Sequence, residues 1–242
     1  MRTAVPKFAA PQIHLVLLFA ATGMLLASGC ADGFVPEARS LNPYVRKQWE
    51  EDEKRGPTYY KRMDELRQVR AQAGQMLDAE KQRLASEIID VLGIEKSPVM
   101  RAELVKTLAF LPGPATLVAL EASSTDNDPE VRAAACQALA GQSGPEAVRL
   151  LAQLSGDQNL DVRLEAARAL GRHKSPEAAQ ALALSLEEND PAIQRVAMES
   201  LKTSTGKDYG MSVKTWREYL DGGNPRPPDP PSWAERLRQP WF

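Results

Sequence analysis

Four segments of this chain align with one another, without gaps, at a period of 31 residues: SPVMRAELVKTL from Ser97, DPEVRAAACQAL from Asp128, NLDVRLEAARAL from Asn159 and DPAIQRVAMESL from Asp190. Met100, Val131, Val162 and Ile193 share a column, as do Leu104, Ala135, Ala166 and Ala197. So do Val105, Cys136, Ala167 and Met198, and then Leu108, Leu139, Leu170 and Leu201. These columns lie at offsets 0, 4, 5 and 8, which is one face of a helix. A short helix with one apolar face cannot bury that face alone, so a fixed period of such units predicts stacking of each unit on the next.

The intervening segments repeat as well. Pro114, Pro145 and Pro176 stand in register, followed by Leu120, Leu151 and Leu182. Proline is at home in the first turn of a helix, where its missing N–H leaves no hydrogen bond unmade. Each unit therefore reads as a hairpin. Shorter helices are predicted at about 114–123, 145–154 and 176–186, each followed by a longer one opened at Pro129, Leu160 or Pro191, with Pro98 opening the first of these. Aromatics are scarce at 6%, and no run alternates Val, Ile and Thr as a half-buried strand would. The fold class that follows is all-α, a solenoid of about four helical hairpins with caps at both ends.

Above all in Asp128-Pro-Glu-Val-Arg-Ala-Ala-Ala, the repeat resembles HEAT repeats of the short bacterial type first associated with phycobilin lyases; the resemblance covers 95–202. A second regularity supports it. Glu95, Asp126, Asp157 and Glu188 recur at 31, each six residues before Arg101, Arg132, Arg163 and Gln194. This is similar to the acid and base ladder that HEAT families place between adjacent turns, which implies a structural role for Glu95, Arg101, Asp126, Arg132, Asp157 and Arg163. Gln194 breaks the series where the stack ends. The segment TGKDYGMSVKTWREYL at 205–220 resembles the terminal cap of bacterial HEAT lipoproteins, with Trp216 and Tyr219 supplying area to cover the exposed end.

Ahead of the repeat, Thr58 follows Pro57 and is placed to cap a helix. Met63, Leu66, Ala73, Leu77, Leu84, Ile88 and Val91 then form one stripe. One long helix, or two broken near Gly74, fits equally well, and a coiled coil is the sharper alternative to a cap. The organisation that results is a leader at 1–29, a tether at 30–57, a helical cap at 58–94, repeats at 95–204, a second cap at 205–221 and a proline-rich tail at 222–242.

Arg2 and Lys7 precede the apolar run Ile13–Ala27, which ends in Ser28, Gly29 and Cys30. This is a secretory leader by pattern, and the run is short for a membrane span of about 20 residues. Leu25-Leu26-Ala27-Ser28-Gly29-Cys30 resembles the lipobox of bacterial lipoproteins, which implies a lipidated Cys30 and an envelope location. Ala31 leans the expectation toward the outer membrane. Simple secretion, with cleavage before the same Cys30, is the alternative. The tether carries Tyr44, Trp49, Tyr59 and Tyr60 at or near its end, some of which are expected to pack on the first helices.

Few residues offer chemistry. The chain has two histidines, His14 in the leader and His173 in a turn, so no histidine-based metal site can be assembled and no cofactor is expected. His173 reads as a solvated turn residue. Cys136 sits in an all-apolar column, where burial makes a thiol inert. The carboxylates of the repeats read as capping or ladder groups. Phycobilin lyases and di-iron hydroxylases are enzymes on similar repeats, and a bilin-lyase-like activity is the alternative to a scaffold.

With 30 basic and 32 acidic residues and no basic patch, nucleic acid is not an expected partner. The expected partner is a protein, met by the ridge of longer helices, which the resemblance places on the concave side. Lys106, Gln137, Arg168 and Glu199 form one outward column of that ridge, and Ala102, Ala133, Leu164 and Arg195 another. In the tail, Trp233, Leu237, Trp241 and Phe242 either fold back on the stack or dock a partner.

Overall fold

Seven helices among the described residues open in the same way, and five of them stand one after another in a single row. Thr58, Ser97, Asp128, Asn159 and Asp190 each hold extended backbone and accept a hydrogen bond from an N–H of the helix that follows. Such a cap satisfies one of the donors that a helix start leaves open. The helices they start are α1 (Tyr59–Gln72), α3 (Pro98–Leu108), α5 (Pro129–Leu139), α7 (Leu160–Leu170) and α9 (Pro191–Thr205). Between and after them run α2 (Asp78–Leu92), α4 (Pro114–Ser123), α6 (Pro145–Leu154), α8 (Pro176–Leu186) and α10 (Val213–Leu220). These elements come from a computed structural model that describes residues 57–227, all within one compact unit. No strand occurs among the described residues.

The helices form two rows. In the first, α1 packs on α3, α3 on α5, α5 on α7 and α7 on α9. In the second, α2 meets α4, α6 meets α8 and α8 meets α10. The core lies between and along the rows. Val105, Ala135, Cys136, Ala167 and Ala197 are wholly buried, as are Leu108, Leu139, Leu170 and Leu201. Small residues in the Ala135, Ala166 and Ala197 column let successive helices approach closely, which is what an α-solenoid needs. The fold is therefore all-α and HEAT-like, as the repeat predicts.

The N-terminal cap proves to be a member of the first row. Thr58, Arg62, Leu66 and Val69 stand 39 residues before Ser97, Arg101, Val105 and Leu108, the same pattern displaced by eight extra residues. Leu66 is buried and Arg62 pairs with Glu95, as a repeat residue does. A short 3-10 turn at Ala73–Gln75 separates α1 from α2, so the stripe is carried by two helices. One expectation fails here. Leu77 does not join the buried stripe; it precedes α2 as its N-cap and is 77% exposed. Of the four aromatics, some of which are expected to pack on the first helices, Tyr60 is 79% exposed with its ring set edge-on to Tyr59, and Tyr44 and Trp49 lie outside the described residues.

At the other end α9 stops at Gly206, whose φ of 71° is the left-handed conformation that ends helices. The chain then folds α10 over the stack. Trp216 is wholly buried, donates its indole N–H to the Gly210 carbonyl at 2.9 Å, and lies edge-on to Tyr209 and Tyr219. Arg217 donates to Glu187 at 2.8 Å, fixing α10 to the end of α8.

One crossing tolerates no side chain. A Cβ built on Gly171, at the end of α7, would lie 2.8 Å from the Cβ of Ser200 on α9. Gly171→Ala is expected to lower stability by about 1–3 kcal/mol, the usual result of overpacking. Trp216→Ala should remove about 3–5 kcal/mol by uncapping the stack. Urea titrations followed by far-UV circular dichroism read both, and an unchanged midpoint for Trp216→Ala would show that α10 is not a cap.

Candidate functional site

Two surfaces carry the polar residues that the repeat places in register. The first is a ladder along one edge. Arg101 forks onto Asp126, with Nε to Oδ2 at 2.9 Å and NH2 to Oδ1 at 2.8 Å. Arg132 repeats the fork on Asp157 at 2.7 and 2.8 Å. Arg163 reaches Glu188 through Nε at 3.2 Å. Each of these arginines thus grips the acid 25 residues ahead of it, across the boundary between units.

The remaining guanidinium nitrogen turns back. NH1 of Arg101, Arg132 and Arg163 donates to the carbonyls five and six residues upstream, which include those of Glu95, Asp126 and Asp157. Those acids accept in turn from the backbone N–H two residues on, at 2.8 or 2.9 Å. Gln194 keeps only the backward half of this role, donating to the Glu188 carbonyl at 2.8 Å. At the opposite end Arg62 supplies the first rung by pairing with Glu95. The gap-free alignment misses Arg62, because its helix is set back by the eight extra residues; a search allowing one insertion finds it.

Electrostatics follows from this geometry. The Arg132 guanidinium holds the Asp157 carboxyl below the usual carboxylate range against the effect of burial. For Asp126 burial is the largest influence and pushes upward, yet the Arg101 fork and the Asp128 N–H outweigh it. Both side chains are less than a fifth exposed, so these are charge-assisted bonds in partly desolvated surroundings.

The second surface is the outward ridge of α3, α5, α7 and α9. Gln137, Arg168 and Glu199 are exposed, whereas Lys106 is half-buried and held by Glu103 at 2.9 Å. Arg168 is paired with Glu165 at 3.3 Å and Glu199 with Arg195 at 3.4 Å. Charges on the ridge are therefore matched along each helix. In the second column Ala133 and Leu164 are partly exposed and Arg195 is exposed, but Ala102 is buried and cannot serve as an outward position.

Ala102 is covered because α1 packs beside it on α3. Arg70 of α1 donates to Glu103 and to the buried Thr107, both at 3.0 Å. Glu103 is thus neither a cap nor a ladder acid, contrary to the reading of the repeat carboxylates; it joins α1 to α3. Neither Arg70 nor Glu103 has a period-31 signal that could have revealed the pairing.

His173 also departs from expectation. It is half-buried, its Nε2 is enclosed without a hydrogen-bond partner, and burial lowers its pKa. Cys136 is wholly enclosed, its pKa raised by burial, with only a 3.9 Å approach to the Val162 carbonyl. Among the described residues no cluster of His, Cys, Asp and Glu could hold a metal ion, and no helix is long and apolar enough to cross a membrane. Cys30, the tether aromatics Tyr44 and Trp49, and the tail residues Trp233, Leu237, Trp241 and Phe242 lie outside the described residues.

Compared with known families, residues 117–202 match the model for HEAT repeats. Among curated proteins no sequence matches the chain.

Arg132→Ala should lower stability by about 3–5 kcal/mol, because it leaves Asp157 partly buried without its cation. Acid should act on the same bonds. The folded-state pKa values of Asp126 and Asp157 are depressed, so their contribution is complete above the ordinary value near 4 and is lost as pH falls through the lower folded values. Urea midpoints measured between pH 7 and pH 2 are expected to decline most steeply below pH 4, with a shallower decline in Arg132→Ala.

Proposed function

We propose that this chain is a non-enzymatic scaffold that holds a polypeptide partner on the ridge of α3, α5, α7 and α9. One observation carries the reading. The ridge charges neutralise each other within their own helices, as Glu165 with Arg168 and Arg195 with Glu199, and leave Ala133, Gln137 and Leu164 as a small, weakly polar strip between them. A surface of that kind offers apolar contact and single hydrogen bonds, which suit a polypeptide; an anionic polymer needs unpaired cations in a row. Repeats of the HEAT kind act more often as scaffolds than as enzymes, which agrees.

The setting we propose is a bacterial envelope, with the chain held to a membrane through a lipidated Cys30 and the outer membrane preferred on account of Ala31. The leader pattern and the lipobox-like LLASGC before Ala31 support this. Residues 31–57 then act as the tether, and Trp233 and Trp241 in the tail supplement the ridge as a second contact for the partner.

Crosslinking from the anchored protein in its own envelope tests the reading. Leu164→Glu, a partly exposed position, is expected to leave the circular dichroism spectrum unchanged and to reduce the captured polypeptide at least tenfold. Capture at wild-type level by Leu164→Glu would remove the ridge from the proposal. Cys30→Ser should release the chain from the membrane fraction without altering its melting. Bound chromophore after purification would favour the lyase reading instead.

A further inference from the structure

The turn between α5 and α6 and the turn between α7 and α8 lie one repeat apart and together line an open cleft of about 590 Å³. Gln142 and His173 both line it and occupy one column of the repeat, whose other members are Leu111 and Ser204. Leu111 is wholly buried. Ser204 is satisfied, its hydroxyl donating to the His173 carbonyl at 2.7 Å. Gln142 and His173 are not satisfied. Gln142 is only 7% exposed, yet its Nε2 has no hydrogen-bond partner, and neither has the buried Nε2 of His173. Leaving such a group unpaired costs about 1–3 kcal/mol, and Leu111 shows that packing at this position does not require a polar side chain.

The charge lining the cleft is predominantly positive. Arg172 and Lys174 flank His173, line the same cleft and are exposed, and neither enters an ion pair among the described residues. The ten-residue α6 begins at the cleft wall with Pro145; its N-cap Gly144 offers no side-chain acceptor, and the one carboxylate of its first turn, Glu146, is paired with Arg149. Glu177, a carboxylate in the lining, is turned to its own helix start, held ionised by its own backbone N–H and by Ser175. Two cations and a helix start thus border a cleft that has two unpaired side-chain nitrogens enclosed in its wall. The surroundings of an oxyanion are built in this way.

We propose that this cleft is a binding site for a phosphate group, with Gln142 Nε2, His173 Nε2, Arg172, Lys174 and the N-terminus of α6 as its donors. Both Nε2 atoms are enclosed, so a phosphate reaches them only if the two side chains turn toward the cleft. The cleft is larger than orthophosphate requires, so the phosphate is either free or carried on a larger group, a lipid headgroup included. His173 shares the lining with Arg172, Lys174, Glu177 and the start of α6, and its ring is hydrogen-bonded to the Leu139 backbone. Burial favours its neutral form, against the hydrogen bond to the Leu139 backbone, whereas a bound phosphate favours the charged one. Binding therefore takes up a proton and strengthens as pH falls through the histidine range.

The test follows the His173 imidazole by NMR in the full chain, its signal separated from that of His14 by the His173→Gln variant. Inorganic phosphate is titrated in one arm; in the other, phosphatidylglycerol vesicles are compared with galactolipid vesicles that carry no phosphate. The expected result is a saturable shift of the His173 signal with its titration midpoint moved upward. Saturation by phosphate identifies a free anion, and saturation by the phosphatidylglycerol vesicles alone identifies a headgroup. Gln142→Leu, which Leu111 shows to be compatible with the fold, and Arg172→Gln with Lys174→Gln should each weaken binding at least tenfold. No shift with either probe, a linear shift that signals an adventitious ion only, or wild-type binding by the Arg172→Gln, Lys174→Gln double variant overturns the proposal.

Discussion

Every unit of this protein has an apolar face that water would penalise if it stood alone, and burial of that face against the next turn is the interaction on which the remainder depends. The columns that begin at Val105 and Leu108 repeat because the same contact is made at each step, and they are wholly or nearly buried in all four repeats. A stack of this kind has ends. The described residues show how they are closed: α1 presents a helix with polar residues on its outer side, and α10 lays Trp216 and Tyr219 across the other end.

The arginine ladder adds direction to this non-directional packing. Apolar faces alone allow one turn to slide or rotate on the next. A guanidinium that binds a carboxylate of the following unit with two nitrogens and the preceding loop with its third fixes three backbone segments at once. The rungs weaken toward the C-terminus, from the forks of Arg101 and Arg132 to the longer contact of Arg163 and then to Gln194, which reaches no further acid. Where the ladder stops, aromatic packing takes over the task of holding the last helices together.

The ridge and the cleft illustrate how a repeat acquires function. In both places the framework is constant and the departures from it are informative. Lys106, Gln137, Arg168 and Glu199 share a column and differ in every unit, because the column faces outward and packing makes no demand on it. Leu111, Gln142, His173 and Ser204 differ although their column faces inward. Variation at an inward position needs a physical reason, and the unpaired nitrogens of Gln142 and His173 supply one.

Much of this was legible in the residues themselves. Period, helix starts, core columns and the acid and base series of the ladder all follow from a 31-residue repeat whose prolines and capping residues mark each boundary, since these are local properties of a short segment. What the chain does not carry locally was decided by packing. Arg62 belongs to a repeat displaced by an insertion, so a gap-free period passes over it, and the role of Arg70 is revealed only by its contacts with Glu103 and Thr107. Ala102 counts as outward by position and is buried because α1 lies over α3. Leu77 counts as core by periodicity and is exposed because the chain breaks before α2. His173 reads as a turn residue in solvent and is half-buried, with its Nε2 enclosed, beside the turn that follows α5. Periodicity assigns a residue to a face of its own helix, but only the arrangement of the other helices determines whether that face meets protein or water.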